Sequence, residues 1–82
     1  MGKADNLEKL EGLLIDLLKC SKDDLKDENG PDNIPNWDSI THMEMVSKIE
    51  DNFNIEFDVD EINEMDTIGA IKKLLTKHKI IL

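Results

Sequence analysis

One stretch decides how the chain folds: residues 36–53, with the sequence NWDSITHMEMVSKIEDNF. Advancing about 100° per residue from Ser39 groups four apolar residues on one side of a helix. They are Met45, Val46, Ile49 and Phe53. The spacing predicts a helix from about Ser39 to Phe53 whose buried face is this stripe.

Two further apolar residues, Ile40 and Met43, fall away from the predicted core face. Their neighbours on the same surface are mostly acidic: Glu44, Ser47, Glu50 and Asp51. Folding alone does not require apolar residues at such positions, so the pattern predicts a docking surface for a partner. The alternative is that a neighbouring loop folds over Ile40 and Met43 and buries them.

The residues before this helix predict a first helix and a long loop. The apolar residues of the first helix share helical spacing: Leu7, Leu10, Leu14 and Leu18. Asp5 or Asn6 is expected to cap its start. Residues 19–37 break the periodicity with one glycine and two prolines, which predicts a loop. Leu25 and Ile34 should attach this loop to the core.

The residues after it predict two more helices. Asp58 and Glu61 have the spacing of a capping box and predict a short third helix that stops near Met65. Asp66 or Thr67 should cap a fourth helix, whose apolar face is Ile68, Ile71, Leu74 and Leu75. The sequence therefore predicts an all-α fold, a small four-helix bundle with a long first loop and a short third helix, in a single domain over residues 1–82.

Charge and composition narrow the class of partner. Residues 38–66 contain ten acids and one lysine, whereas residues 67–82 contain four lysines and no acid. This acidic centre argues against nucleic acids and anionic membranes as partners. It would attract basic protein surfaces, unless its role is only to keep a small domain soluble. No apolar run approaches the roughly 20 residues of a membrane span, there is no signal-peptide pattern, and one cysteine, Cys20, fits a reducing cytoplasm.

Ser39 itself allows other interpretations. Serine is a favoured N-cap, and Asp38 could cap the same helix equally well. Ser39 could also be a hydrolase nucleophile paired with His42, but there is no Gly-x-Ser-x-Gly elbow and no evident orienting acid. His42 lies closer to the core stripe and is interpreted as structural. His78, in a lysine-rich last turn, is expected only to complement the helix dipole.

The acidic loop over residues 23–30 invites comparison with a calcium-binding loop. Placing Gly30 at the sixth position of that motif puts Leu25 at the first and Asn36 at the twelfth. These positions require Asp and a bidentate Glu. No dedicated metal site is therefore predicted.

The order of elements and two motifs resemble the acyl carrier protein family over nearly the whole chain. The motifs are Asp38-Ser39-Ile40 and, after Glu44, the run EDNFNI at residues 50–55. The resemblance implies a carrier, not an enzyme, in which Ser39 receives 4′-phosphopantetheine from coenzyme A through a separate phosphopantetheinyl transferase. The thiol of this arm would hold acyl groups as thioesters, and Asp38 would neighbour Ser39 in the transferase complex.

The resemblance also implies the partner-facing residues: Ile40, Met43, Glu44, Ser47, Glu50 and Asp51. The implied partners are the transferase and enzymes that load and process acyl groups through basic docking surfaces, with the carrier acting as a monomer. The Trp-Asp-Ser-Ile-x-His pattern from Trp37 resembles discrete bacterial carriers of specialised pathways. Fatty, hydroxy, polyketide and amino acyl cargoes stay open. An aminoacyl or peptidyl carrier of the same fold and a non-modified acidic helical adaptor are the alternatives.

Overall fold

The computed structural model describes residues 3–82, with side chains from residue 5 onward. Within this range the regular structure is helical, without strands. It consists of α1 (Lys3–Leu18), a 3₁₀ turn (Lys22–Asp24), α2 (Ser39–Phe53), α3 (Val59–Glu64) and α4 (Ile68–Lys77). The predicted all-α fold, with its long first loop and short third helix, is confirmed. No helix in the described range is both long enough and apolar enough to cross a bilayer.

The predicted start of α1 is wrong. The described part of the helix runs from Lys3, so Asp5 and Asn6 lie inside it and not at its N-cap position, and the residue before Lys3 lies outside the described part of the chain. Asn6 has a different role, because its Nδ2 donates a hydrogen bond of 2.8 Å to the carbonyl oxygen of Ile81. This bond attaches the C-terminal tail to α1. The two residues flanking Ile81 pack against the core, while the Ile81 side chain is exposed.

One hydrophobic core joins the helices, and α1 packs directly against α2. The predicted stripe of α2 is confirmed, since its buried apolar residues are Met45, Val46, Ile49 and Phe53. The predicted face of α4 is also confirmed: Ile68, Ile71, Leu74 and Leu75. In α1, Leu10, Leu14 and Leu18 are buried, whereas Leu7 is only half-buried. Cys20 packs against the edge of this core.

The helix boundaries follow from local hydrogen bonds. The predicted capping box of α3 is present: the N–H of Glu61 donates to Oδ1 of Asp58 at 2.8 Å, and the N–H of Asp58 donates to Oε1 of Glu61 at 3.1 Å. Thr67 caps α4 by accepting from the N–H of Ala70 at 3.1 Å. Asn54 ends α2 in the left-handed region, with φ of 56°, a conformation that asparagine tolerates better than most residues.

The loop between α1 and α2 is attached to the start of α4. The carbonyl oxygen of Asn29 accepts from the N–H of Ile68, and that of Asp27 accepts from the N–H of Gly69, both at 2.9 Å. A helix start normally leaves such N–H groups without a partner inside the helix. The loop therefore supplies part of the cap of α4.

Side chains also hold this loop in place. Leu25 and Ile34 are buried in the core, as predicted. Gly30 is buried against residue 66, where an added Cβ would overlap the carbonyl oxygen of Asp66. Close backbone approach therefore requires glycine at this position.

The interpretation of His78 is wrong. This residue is the C-cap of α4, but its ring also contacts the carboxylate of Glu61 on α3. A neighbouring side chain, Lys77, contacts the same carboxylate. His78 therefore connects two helices, in addition to its position at the end of one of them.

Candidate functional site

At the start of α2, the residue that caps the helix is Asp38, and Ser39 is the next residue along the chain. Oδ1 of Asp38 accepts a hydrogen bond of 2.8 Å from the backbone N–H of Thr41. Hydrogen bonds, of which the one from the Thr41 backbone has the largest effect, lower the pKa of the Asp38 carboxyl from its ordinary value of 3.8. Asp38 is therefore ionised at neutral pH, and the interpretation of Ser39 as the cap is wrong.

Ser39 is the first residue of α2 and is exposed to solvent. Since Asp38 caps the helix, the Ser39 hydroxyl is not required for that purpose. The first turn of a helix presents backbone N–H groups and the positive end of the helix dipole. A phosphate joined to the Ser39 oxygen would meet both. The position therefore fits a phosphate-linked group.

His42 is not arranged as a base for Ser39. Its Nδ1 accepts a hydrogen bond of 3.0 Å from Nε1 of Trp37, and its Nε2 lies 3.0 Å from the carbonyl oxygen of Ile62. An indole N–H can only donate, so Nδ1 must be unprotonated and Nε2 must carry the hydrogen that it donates to Ile62. Both ring nitrogens are engaged elsewhere. The structural interpretation of His42 is confirmed, and the hydrolase-like pair is not formed.

Sequence reasoning missed the burial of Trp37, which is only 3% exposed. The sequence contains one signal for this burial. A buried indole N–H usually needs a hydrogen-bond acceptor, and His42, five residues further on, can supply one. The two rings are nearly parallel, with 14° between their planes. Trp37 therefore fixes the chain immediately before the attachment candidate.

A surface groove of about 450 Å³ opens beside Ser39. Its lining includes Trp37 and His42 near the start of α2, and Ile62 and Met65 near the end of α3. The groove combines apolar side chains with polar rims and is open to solvent. It offers a surface along which a group attached to Ser39 could lie.

The predicted docking surface is exposed at most of its positions. Ile40 and Met43 are 75% and 55% exposed, so the alternative in which a loop buries them is wrong. The exposed polar residues of this surface are Glu44, Ser47 and Asp51. Whether a partner binds there stays a prediction.

Glu50 differs from the other residues of this surface. It is half-buried, and its Oε2 accepts a hydrogen bond of 2.8 Å from the backbone N–H of Phe57. This bond holds the connection between α2 and α3. A change of charge at Glu50 would therefore disturb the fold as well as any docking.

The acidic loop does not gather ligands for a cation. Among the residues that the structure describes, no three His, Cys, Asp or Glu side chains are grouped so that they could hold a metal ion. One acid of the loop, Asp27, instead pairs with Lys72 of α4 at 2.9 Å.

Comparison with known proteins agrees with this geometry. The family described as Phosphopantetheine attachment site matches residues 8–75, a span that contains Ser39. An acyl carrier protein of Lactobacillus acidophilus is 25% identical to the chain over 79 residues, which cover 96% of this chain and 99% of that protein. The family match spans most of the chain and identifies a carrier of 4′-phosphopantetheine, not an enzyme. The chain belongs to the acyl carrier protein family.

Proposed function

We propose that Ser39 carries the phosphopantetheine arm, and that the thiol of the arm holds acyl groups as thioesters for presentation to partner enzymes. The observation that carries this proposal is the division of roles at the start of α2: Asp38 caps the helix, and the exposed Ser39 hydroxyl stands at its first position. Attachment would join the Ser39 oxygen to the phosphorus next to pantetheine. The adenosine part of coenzyme A would leave with its remaining phosphates, and a base of the transferase would take the hydroxyl proton.

The decisive experiment measures the intact mass of the protein after incubation with coenzyme A and a promiscuous transferase. The wild-type protein should gain the mass of one phosphopantetheine, and Ser39→Ala should gain none. Ser47→Ala is the matched control, because Ser47 is an exposed serine on the same helix. Modification at Ser21 or Ser47, or no modification of the wild-type protein, would contradict the proposal.

We also propose that partner enzymes bind the surface formed by Ile40, Met43, Glu44, Ser47, Glu50 and Asp51. Its support is the exposure of the apolar pair within an acidic field. The partners would be the transferase and the enzymes that load and process acyl groups, each with a basic docking surface. Contacts of this kind are salt-dependent and accelerate encounter more than they strengthen the complex.

A charge-reversal experiment tests this surface. Glu44→Lys should slow modification by the transferase, and raising the salt concentration should slow modification of the wild-type protein. Glu8→Lys is the matched control, since it makes the same change of charge at an exposed position on α1. Glu50 is avoided because its carboxylate also holds the N–H of Phe57. Equal rates for the two variants would place the docking surface elsewhere.

We propose further that residues 1–82 form one carrier domain that acts as a monomer in the cytoplasm, within a specialised pathway. A single cysteine supports a reducing compartment, and Trp37 before the Asp-Ser pair supports the specialised role. Sedimentation at increasing protein concentration tests the monomer. A mass that rises towards that of a dimer would contradict it.

A further inference from the structure

Trp37, His42 and Ile62 form a hydrogen-bonded cross-tie at the groove beside Ser39. The indole Nε1 of Trp37 donates to Nδ1 of His42, and Nε2 of His42 donates to the carbonyl oxygen of Ile62, each at 3.0 Å. Trp37 precedes α2, His42 lies in the first turn of α2, and Ile62 lies in α3. The cross-tie therefore couples the segment around Ser39 to the helix on the far side of the groove.

Of the described residues that line the groove, Trp37 and Met65 belong to the buried core, and Ile62 packs against it. The core residues with no exposed surface do not line it: Leu10, Met45, Ile49, Ile68, Ile71 and Leu75. An apolar chain that starts at Ser39 and runs through the groove into the core must therefore pass Trp37, Ile62 or Met65. Trp37 is held by its hydrogen bond to His42.

We propose that this cross-tie closes the core at the Ser39 end of the bundle, so that an acyl chain on the arm lies in the groove and outside the core. The proposal rests on the attachment of the arm at Ser39. Opening the core at Trp37 would leave a buried N–H without its acceptor, which is unfavourable. The groove instead offers apolar contact with Trp37, Met43 and Ile62 while both hydrogen bonds stay intact.

The first experiment locates the chain by NMR. Transfer of an amide-linked octanoyl arm onto Ser39 gives a stable acyl form that hydrolysis does not remove. We expect nuclear Overhauser contacts from the octanoyl methyl to the side chains of Met43 and Ile62, with none to Ile49 or Leu75. Contacts to Ile49 or Leu75 in the wild-type protein would overturn the proposal.

Variants then test whether the cross-tie is the cause. Trp37→Phe keeps an aromatic ring but removes the indole donor, so the octanoyl chain should now contact Ile49 or Leu75. His42→Gln is the conservative variant, because its amide can accept from Trp37 and donate to Ile62, and it should retain the wild-type contacts. His42→Phe, which removes both hydrogen bonds and keeps a ring, replaces Trp37→Phe if that variant unfolds. Wild-type contacts in the variants that lack the cross-tie would overturn the proposal.

A third measurement separates this proposal from the attachment of the arm. Intact mass shows whether Ser39 is modified, independently of where the chain lies. The cross-tie is tested in the unmodified protein by the nitrogen-15 shifts of the His42 ring, which should show hydrogen on Nε2 and none on Nδ1. Emission of Trp37, the only tryptophan in a chain without tyrosine, should change when Phe replaces His42. The opposite tautomer, or unchanged emission, would overturn the cross-tie even if Ser39 is modified.

Discussion

Nε2 of His78 lies 3.0 Å from Oε2 of Glu61, and this contact joins the end of α4 to α3. Glu61 is buried, and its carboxylate also accepts from the backbone N–H of Asp58 and contacts Nζ of Lys77 at 3.2 Å. The backbone hydrogen bond from Asp58 has the largest effect on the pKa of the Glu61 carboxyl. Together with His78 and Lys77, it outweighs burial and lowers the pKa of Glu61 from 4.5 to about 2.

Glu61 should make the stability of the protein depend on pH in acid. Its pKa in the folded state, about 2, lies below the ordinary value of 4.5, so the unfolded chain takes up the proton first as the pH falls. The stabilisation is complete above about pH 4.5 and is lost as the pH falls towards 2. Urea midpoints across this interval should vary less with pH in Glu61→Gln than in the wild-type protein. Glu64→Gln, at an exposed position on the same helix, should show the same dependence of urea midpoint on pH as the wild-type protein. Equal dependence in all three proteins would contradict the role of Glu61.

Removing the cap of α2 should destabilise the protein more than removing the Ser39 hydroxyl. Asp38→Ala loses the acceptor for the N–H of Thr41, which typically costs about 1 kcal/mol. Ser39→Ala removes an exposed hydroxyl that caps nothing, so its effect should stay within about 0.5 kcal/mol. Urea denaturation of both variants measures the difference. A loss in Ser39→Ala as large as that in Asp38→Ala would mean that the serine shares the cap.

The two apolar faces of α2 should respond differently to truncation. Ile49 is fully buried, and Ile49→Ala should lower the free energy of unfolding by about 2–5 kcal/mol. Met43 is exposed, so Met43→Ala should cost under about 1 kcal/mol while slowing loading by a partner enzyme. Thermal melts measured beside transferase rates separate the two effects. Normal loading of Met43→Ala would remove Met43 from the docking surface.

Two glycine-to-alanine changes should have opposite effects. In Gly30→Ala the new Cβ overlaps the carbonyl oxygen of Asp66, and overpacking of this kind typically costs about 1–3 kcal/mol. Gly12 is exposed within α1, and a Cβ there meets nothing within 4 Å. Gly12→Ala should therefore stabilise the protein by up to about 1 kcal/mol, the difference in helix propensity. The sign of each change in urea midpoint is the measurement, and a stabilising Gly30→Ala would show that the loop can move away from residue 66.

The two thiols of the modified protein should react at different rates. Burial, and then the nearby charge of Asp24, raise the pKa of the Cys20 thiol above its ordinary value of 9.0. Little thiolate is therefore present at neutral pH, and the thiolate is the reactive form. A disulfide reagent should react quickly with the arm thiol and slowly with Cys20, and Cys20→Ala should lose only the slow phase. A single fast phase for both thiols would contradict the protection of Cys20.

The helices could be predicted from sequence because their signals are local. The stripe of α2 repeats at helical spacing, and the capping box joins Asp58 and Glu61, which are three positions apart. The exposure of Ile40 and Met43 could be predicted from the same spacing, because it places them on the face of α2 away from the buried stripe. Periodicity therefore gave both the core and the candidate docking surface.

The contacts between elements could not be predicted in the same way. His42 contacts Ile62, 20 residues away, and His78 contacts Glu61, 17 residues away. Such contacts depend on how two helices are aligned, and the periodicity within one helix does not predict that alignment. The choice between Asp38 and Ser39 as the cap had a different cause. Both residue types cap well, so only the backbone geometry at the start of α2 distinguishes them.

The attachment of the long loop to α4 makes the stability of α4 depend on the loop. Asn29 and Asp27 provide carbonyl oxygens to Ile68 and Gly69, so the start of the last helix is complete only when the first connection is in place. Opening of the loop and fraying of α4 should then be one event, in the manner of a cooperative unit that exchanges its amide hydrogens together. Insertions near Gly30 would consequently weaken the opposite end of the chain, while α1 and α2, which the loop connects in sequence, would be affected less.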